Sequence, residues 1–244
     1  MVAVVALVVM ALPQAHAAGV SGQGTWETTL QGRDLDGNLA NGFEAYYDTD
    51  LDITWLADAN YAKTSGYDTD GFMAWDDAQT WVAQLNINGV TGWRLPDVKP
   101  VNGSSFNYDY SSDGSTDYGY NITSTQSELA HRCDVTLGNK GTVDALGNNP
   151  PDSGLSNTGA FNNVQKSNYW SGVTYSSLYP AYAWAFVTGR DGWDSGGQNG
   201  FFMVSALSAW AVHSGDVGAA VTSVPEPQTY ALALAGLAAA ALMA

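Results

Sequence analysis

The stretch MAWDDAQTWVAQLNINGVTGWRLPD, residues 73–97, constrains the fold more than any other part of the chain. Trp75, Ala78, Val82 and Leu85 recur at i, i+3, i+7 and i+10, the spacing of one apolar helix face, and Asp76, Asp77, Gln79 and Thr80 fall on the other side. The acidic pair sits in the first turn, where the positive end of the helix dipole favours it. TGWRLPD then predicts a short strand that Pro96 stops.

A second helix is predicted after residue 125. Thr125 and Glu128 have capping-box spacing, Leu129, Cys133 and Leu137 repeat at i, i+4 and i+8, and Gly138 suits the C-terminal cap. Cys133 then faces inward as a small apolar residue rather than a reactive thiol, and as the only cysteine it excludes both an intramolecular disulfide and a cysteine-based zinc cluster.

The remaining periodicity is that of strands. Residues 43–47 and 51–56 predict a hairpin about an Asp-Thr-Asp turn, and 168–172, 182–188, 201–205 and 207–213 predict four more strands. Asp48, Asp50 and Asp52 on one strand would share a face and repel unless an ion or Arg neutralised them. Residues 97–127 and 141–166 carry no helical period and read as long ordered loops, and 18–42 reads as a Gly-rich N-terminal arm that ends in a strand. One folded domain is expected from these segments. Trp55, Trp75, Trp93, Trp170, Trp184 and Trp210 are its expected core.

Eight Lys plus Arg against 24 Asp plus Glu give a net charge of −16, which repels phosphate backbones and anionic headgroups, so nucleic acid is not an expected partner. Catalysis has little support: apart from His16 the histidines are His131 and His213, in no metal-ligand spacing, and the chain has no nucleophile elbow or phosphate loop. DYSSDGSTD places Asp109, Asp113 and Asp117 at positions 1, 5 and 9 of a calcium-loop pattern, but Tyr120 stands where the bidentate Glu belongs. The readings left open there are a looser calcium site and a solvated loop of Asx turns. Arg94, between Trp93 and Leu95 and next to Pro96, is expected to be a structural fork for carbonyls or a carboxylate, with a ligand anion as the alternative. Tyr108, Tyr110, Tyr118, Tyr120, Tyr175, Tyr179 and Trp193, on loops rich in Asn and Asp, are the candidates for stacking on sugar rings.

The two ends read as addresses. Residues 1–12 are apolar, and Ala15 and Ala17 supply the small residues of a signal-peptidase site, so 1–17 is an expected signal peptide. Residues 218–228 form a linker containing Pro225, Glu226 and Pro227, and 229–244 is an uncharged run shorter than the roughly 20 residues that cross a bilayer. This order resembles the PEP-CTERM sorting signal of Gram-negative bacteria. The resemblance implies an exosortase-type partner, membrane contact through the tail alone, and residence in the envelope, at the surface or in the extracellular matrix.

YDTDLDITWLADANY, the 73–96 segment, NYWSG, AYAWAFV and AWAVHSGDV, in that order, resemble the Lcl C-terminal-like domain, an extracellular family named after the end of a collagen-like adhesin. The match spans 43–217, and its Trp93-Arg94-Leu95-Pro96 corner also resembles that of formylglycine-generating enzymes, which implies a C-type-lectin-like α+β fold with two main helices, a twisted and mostly antiparallel sheet, and long loops. Their oxidase chemistry needs a cysteine pair that this chain lacks. The leading expectation is thus a non-enzymatic, exported domain that binds extracellular polysaccharide. A protein-binding adhesion or matrix component and a carbohydrate hydrolase are the alternatives, the latter requiring two carboxylates about 5–10 Å apart in a cleft.

Overall fold

A computed structural model describes residues 19–189 and 194–218; the signal peptide, the Pro225-Glu226-Pro227 motif, the hydrophobic tail and Trp193 lie outside the described residues. The elements run α1 (Trp26–Thr29), β1 (Leu30–Arg33), β2 (Ala45–Asp48), β3 (Ile53–Leu56), α2 (Tyr61–Thr64), β4 (Phe72–Met73), α3 (Trp75–Ala83), β5 (Tyr110–Ser111), β6 (Tyr118–Tyr120), α4 (Glu128–His131), β7 (Asn168–Ser176), β8 (Tyr179–Val187), β9 (Gly197–Phe202), β10 (Leu207–Ser208) and β11 (Val212–Ser214). The protein is a mixed α+β structure, mostly sheet with few helices. It has two sheets where one is expected from sequence: four strands in the order β1-β2-β3-β11, and seven in the order β4-β10-β7-β8-β9-β6-β5. Pairing is antiparallel except between β10 and β7 and between β5 and β6.

The split falls inside the run 207–213. Leu207 and Ser208 join the large sheet, Val212 to Ser214 join the small one, and Trp210 is fully buried at the crossing. Its ring meets Phe161 at 4.9 Å and Trp55 at 5.2 Å, and its Nε1 donates to the Leu56 carbonyl at 2.8 Å. The chain changes sheets around this ring.

Residues 19–42 belong to the domain. β1 pairs with β2, and the Thr25 amide donates to the Thr136 carbonyl at 2.9 Å. At Gly24, φ is +73° and an added Cβ would meet that same carbonyl oxygen at 2.4 Å, so glycine is required for the two backbones to approach. The β2–β3 hairpin forms with Asp48 paired to Ile53. Asp48, Asp50 and Asp52 do not line one strand face: Asp48 is buried and accepts from the Asp50 and Leu51 amides, while Asp52 lies in the turn at φ +52° and accepts from the Tyr47 hydroxyl at 2.8 Å.

Helix α3 buries Ala78 and Val82 and exposes Asp76, Asp77 and Thr80, as its periodicity requires, but Trp75 and Leu85 of the expected face are only half-buried and Trp81, outside that face, is buried. Trp75 fixes it to the large sheet by donating to the Ser171 carbonyl at 2.8 Å. It stops at Ala83 because Asn86 caps the Gly89 amide at 2.8 Å and Ile87 and Val90 exchange backbone hydrogen bonds in a tight turn.

Arg94 follows, bridged to Val212 through both backbone groups at 2.8 and 2.9 Å. Its guanidinium grips Glu128 with two 2.8 Å bonds and also reaches the Leu95 carbonyl and the Ser214 hydroxyl. The Glu128 carboxylate also accepts from the Asp97 amide at 2.7 Å. The expected Thr125–Glu128 capping box therefore does not form; a bidentate ion pair outcompetes a neutral cap, and α4 begins after Ser127 without a side-chain cap.

α4 continues into a π-helical turn, Arg132–Thr136. Leu129, Cys133 and Leu137 are all buried, and Gly138 ends the run at φ +62°. The turn also carries Arg132 inside, where its guanidinium lies 4.1 Å from the Trp210 ring centre and 5.4 Å from that of Trp55. Nothing in the periodicity distinguishes this arginine from a surface one.

Strand β8 is central, and both its faces are buried from Ala183 to Val187. The segment 97–127 contributes to this cover. It is not a plain loop, since β5 and β6 extend the sheet edge beyond β9, and Phe106 and Tyr108 lie over Trp184 at 5.5 and 6.0 Å. Buried Gln198 of β9 holds it by donating to the Asp117 carbonyl at 2.8 Å and accepting from the Ser127 hydroxyl.

Candidate functional site

The outer end of the β7–β8 hairpin carries a shallow groove of about 340 Å³ lined by Tyr108, Tyr175, Tyr179, Tyr182, Asn199 and Gly200. Alternation along β8 places Tyr182 on the face that Trp184 occupies, and the hairpin brings Tyr175 of β7 beside both, 4.4 Å from Trp184 and 6.4 Å from Tyr182. Tyr108 stacks on Trp184 with 7° between the ring planes, and its hydroxyl donates to the Tyr175 carbonyl at 3.0 Å. Tyr179 meets Tyr182 edge-on at 6.0 Å, and Phe202 leans on Tyr182 at 4.1 Å.

The rings are anchored on one side and open on the other. Tyr179 is 57 % and Phe202 53 % exposed, against 0 % for the underlying Trp184. Gly200 makes room for Tyr175, because a Cβ there would lie 2.5 Å from the Tyr175 ring. Burial, reinforced by the neighbouring Tyr118, Tyr108 and Tyr179, pushes the Tyr175 phenol up. Among the described residues the hydroxyls of Tyr175, Tyr179 and Tyr182 make no hydrogen bond, while the Asn199 side-chain oxygen accepts from the Gly200 amide at 2.7 Å. The groove thus presents aromatic faces with hydroxyl and carboxamide groups at their edges, the equipment that stacks on and hydrogen-bonds a hydroxyl-rich ring.

The sequence-predicted residues divide between two places. Tyr108, Tyr175 and Tyr179 meet in the groove. Tyr110, Tyr118 and Tyr120 form a separate cluster on β5 and β6, with ring centres 5.7 and 6.2 Å from Tyr110, and the Tyr120 hydroxyl donates to Asp194 at 2.6 Å. Burial first, and that bond second, drive the Tyr120 phenol up. Tyr182, Asn199 and Phe202 are not marked by the loop composition that singles out the others. Alternation would have found Tyr182, which shares a face with Trp184, but nothing local marks the two β9 residues.

The three candidate metal ligands have separate tasks. Asp117 is buried and accepts from the Val101 and Asn107 amides, both at 2.7 Å. Asp113 accepts from the Ser115 amide and hydroxyl within its own turn, which holds its carboxyl below the usual range, and the Asp109 carbonyl accepts from the Thr116 hydroxyl. Among the described residues the carboxylates that gather within 4.8 Å of one another are Asp34, Asp36 and Glu44. These could share a cation, but each is also stitched to backbone amides, Asp34 to Gly37, Asp36 to Asn38 and Glu44 to Leu35.

A second cleft, about 240 Å³, has Glu44, Asp58 and Tyr61 in its wall. Both carboxylates are engaged: Asp58 accepts from the Asn60 amide at 2.8 Å and from the Asn163 side chain at 2.9 Å, and Glu44 from the Leu35 amide at 2.8 Å. The two described histidines are packed into the fold. His131 is buried with Nδ1 at 2.7 Å from the Thr123 carbonyl, and His213 lies edge-on to Trp93.

Comparison with protein-family models finds no match to this chain, and comparison with curated proteins finds none.

Proposed function

We propose that this protein is an exported, surface- or matrix-associated domain without enzymatic activity that binds extracellular polysaccharide in the aromatic groove. The single observation that carries the reading is the convergence of Tyr108, Tyr175, Tyr179 and Tyr182 on one open face with the Asn199 carboxamide. Rings held by packing lose little freedom when a ligand stacks on them, so the affinity is not spent on ordering the site.

The same proposal includes a C-type-lectin-like fold of the Lcl C-terminal-like kind, supported by the helix-to-Arg94 corner and the long segment laid over the sheet. Delivery follows from the ends of the sequence: a signal peptide at 1–17 exports the chain, and an exosortase-type enzyme in a Gram-negative envelope reads Pro225, Glu226 and Pro227. Membrane contact is confined to 229–244, and the charge of −16 disfavours nucleic acid as a partner.

The test is retention of the protein on polysaccharide gels, alone and with Tyr182→Ala. Retention that the substitution weakens about tenfold supports the reading, since truncating one central aromatic costs roughly 1–2 kcal/mol. Absence of retention across a broad polysaccharide panel contradicts it.

A further inference from the structure

We infer that the groove selects uncharged polysaccharides and rejects polymers rich in uronate or sulfate, an inference that rests on the glycan-binding reading above. Every described residue that lines it, Tyr108, Tyr175, Tyr179, Tyr182, Asn199 and Gly200, is uncharged. Recognition of a carboxylate or sulfate on a sugar normally falls to Arg or Lys, whose charged donors offset the cost of desolvating the anion. The described cations do not supply this. Arg33, Arg94, Lys99 and Lys140 each face a carboxylate, Asp216, Glu128, Asp97 and Asp152 respectively. Arg132 is fully buried between tryptophans. Lys63 lies on α2, and Lys166 precedes β7 at the end opposite Tyr175, roughly 30 Å away along an extended strand.

The wider field points the same way. A net charge of −16 raises the cost of bringing a polyanion to any face of the molecule, and among the described residues no cation lines the groove to lower it locally. The available hydrogen-bonding groups, phenol hydroxyls and a carboxamide, both donate and accept, which suits sugar hydroxyls that do the same. A neutral hexose or pentose chain meets both conditions.

The experiment is affinity electrophoresis of the full chain through gels containing neutral polymers (glucan, xylan, galactomannan) or uronate polymers (alginate, polygalacturonate), at about 0.05 and about 0.5 M salt. The expected result is retardation by at least one neutral polymer, none by the uronates, and an affinity that changes less than about twofold with salt. Asn199→Lys, which places a cation in the groove, is expected to create uronate binding that high salt abolishes. Retardation by uronates at least as strong as by neutral polymers overturns the inference and leaves the glycan-binding reading standing. Retardation by neither class overturns both.

Discussion

The ring of Tyr175 occupies the space that a β-carbon on Gly200 would fill: the built Cβ position is 2.5 Å from the ring edge and 2.8 Å from two further ring atoms. An aromatic ring laid across a strand glycine covers the gap the missing side chain leaves, and in return the glycine fixes where the ring lies. Gly200 has no left-handed backbone to defend, so the methyl of Gly200→Ala acts on the ring alone. The substitution should swing Tyr175 out of the groove and weaken glycan binding several-fold, at a stability cost of about 1–3 kcal/mol for overpacking. Binding and thermal melts on the same variant check it; unchanged affinity would mean that Tyr175 does not contact the ligand.

Arg94 and Glu128 hold the corner between the small sheet and α4. Glu128 is 9 % exposed and Arg94 33 %, so removing the cation strands a nearly buried carboxylate. Arg94→Ala is expected to destabilise the fold by about 2–4 kcal/mol, somewhat less than a fully buried pair because Arg94 is partly wet. Arg94→Lys, with a single point donor in place of a fork, should recover only part of that loss in denaturant titrations.

Asp134 gives the protein an unusual pH response. Burial drives its carboxyl well above the ordinary value of 3.8, against the opposing pull of Arg132. The folded state therefore holds a proton that the unfolded chain releases. That contribution to stability is complete below the unfolded value and is lost as the pH rises toward the raised folded value. Asp134→Asn cannot titrate, so it should melt at a higher temperature than the natural protein near neutral pH and show a flatter melting profile on the way down to acid. Parallel slopes for the two proteins would contradict the assignment.

Cys133 is buried and its thiol is pushed up to about 12, chiefly by burial. A thiol reagent should leave the native protein unlabelled at neutral pH and modify the single cysteine once denaturant opens the fold. Rapid labelling without denaturant would place the thiol at the surface.

Features carried by short-range spacing could be read from sequence, and features carried by distant partners could not. The helix at Trp75, the hairpin at Asp48, the inward row of Leu129, Cys133 and Leu137, and the Arg94 fork all follow from neighbours a few residues apart. The partner of that fork did not, because Glu128 lies 34 residues away and looked locally like a cap. The second sheet depends on Trp210 finding Trp55 and Phe161, contacts that no strand pattern encodes. The groove is half visible for the same reason: composition marks Tyr108, Tyr175 and Tyr179 as tyrosines on loops. Their union with Tyr182 and Asn199 required β7, β8 and β9 to be placed side by side.

The central claim is that a glycan lies across Tyr108, Tyr175, Tyr179 and Tyr182, and chemical-shift mapping with a neutral oligosaccharide tests it most directly. The account predicts perturbations confined to these four tyrosines, Asn199 and Gly200, with the Tyr110, Tyr118 and Tyr120 cluster unmoved. Perturbations centred on that second cluster, or on the cleft beside Glu44 and Asp58, would contradict it.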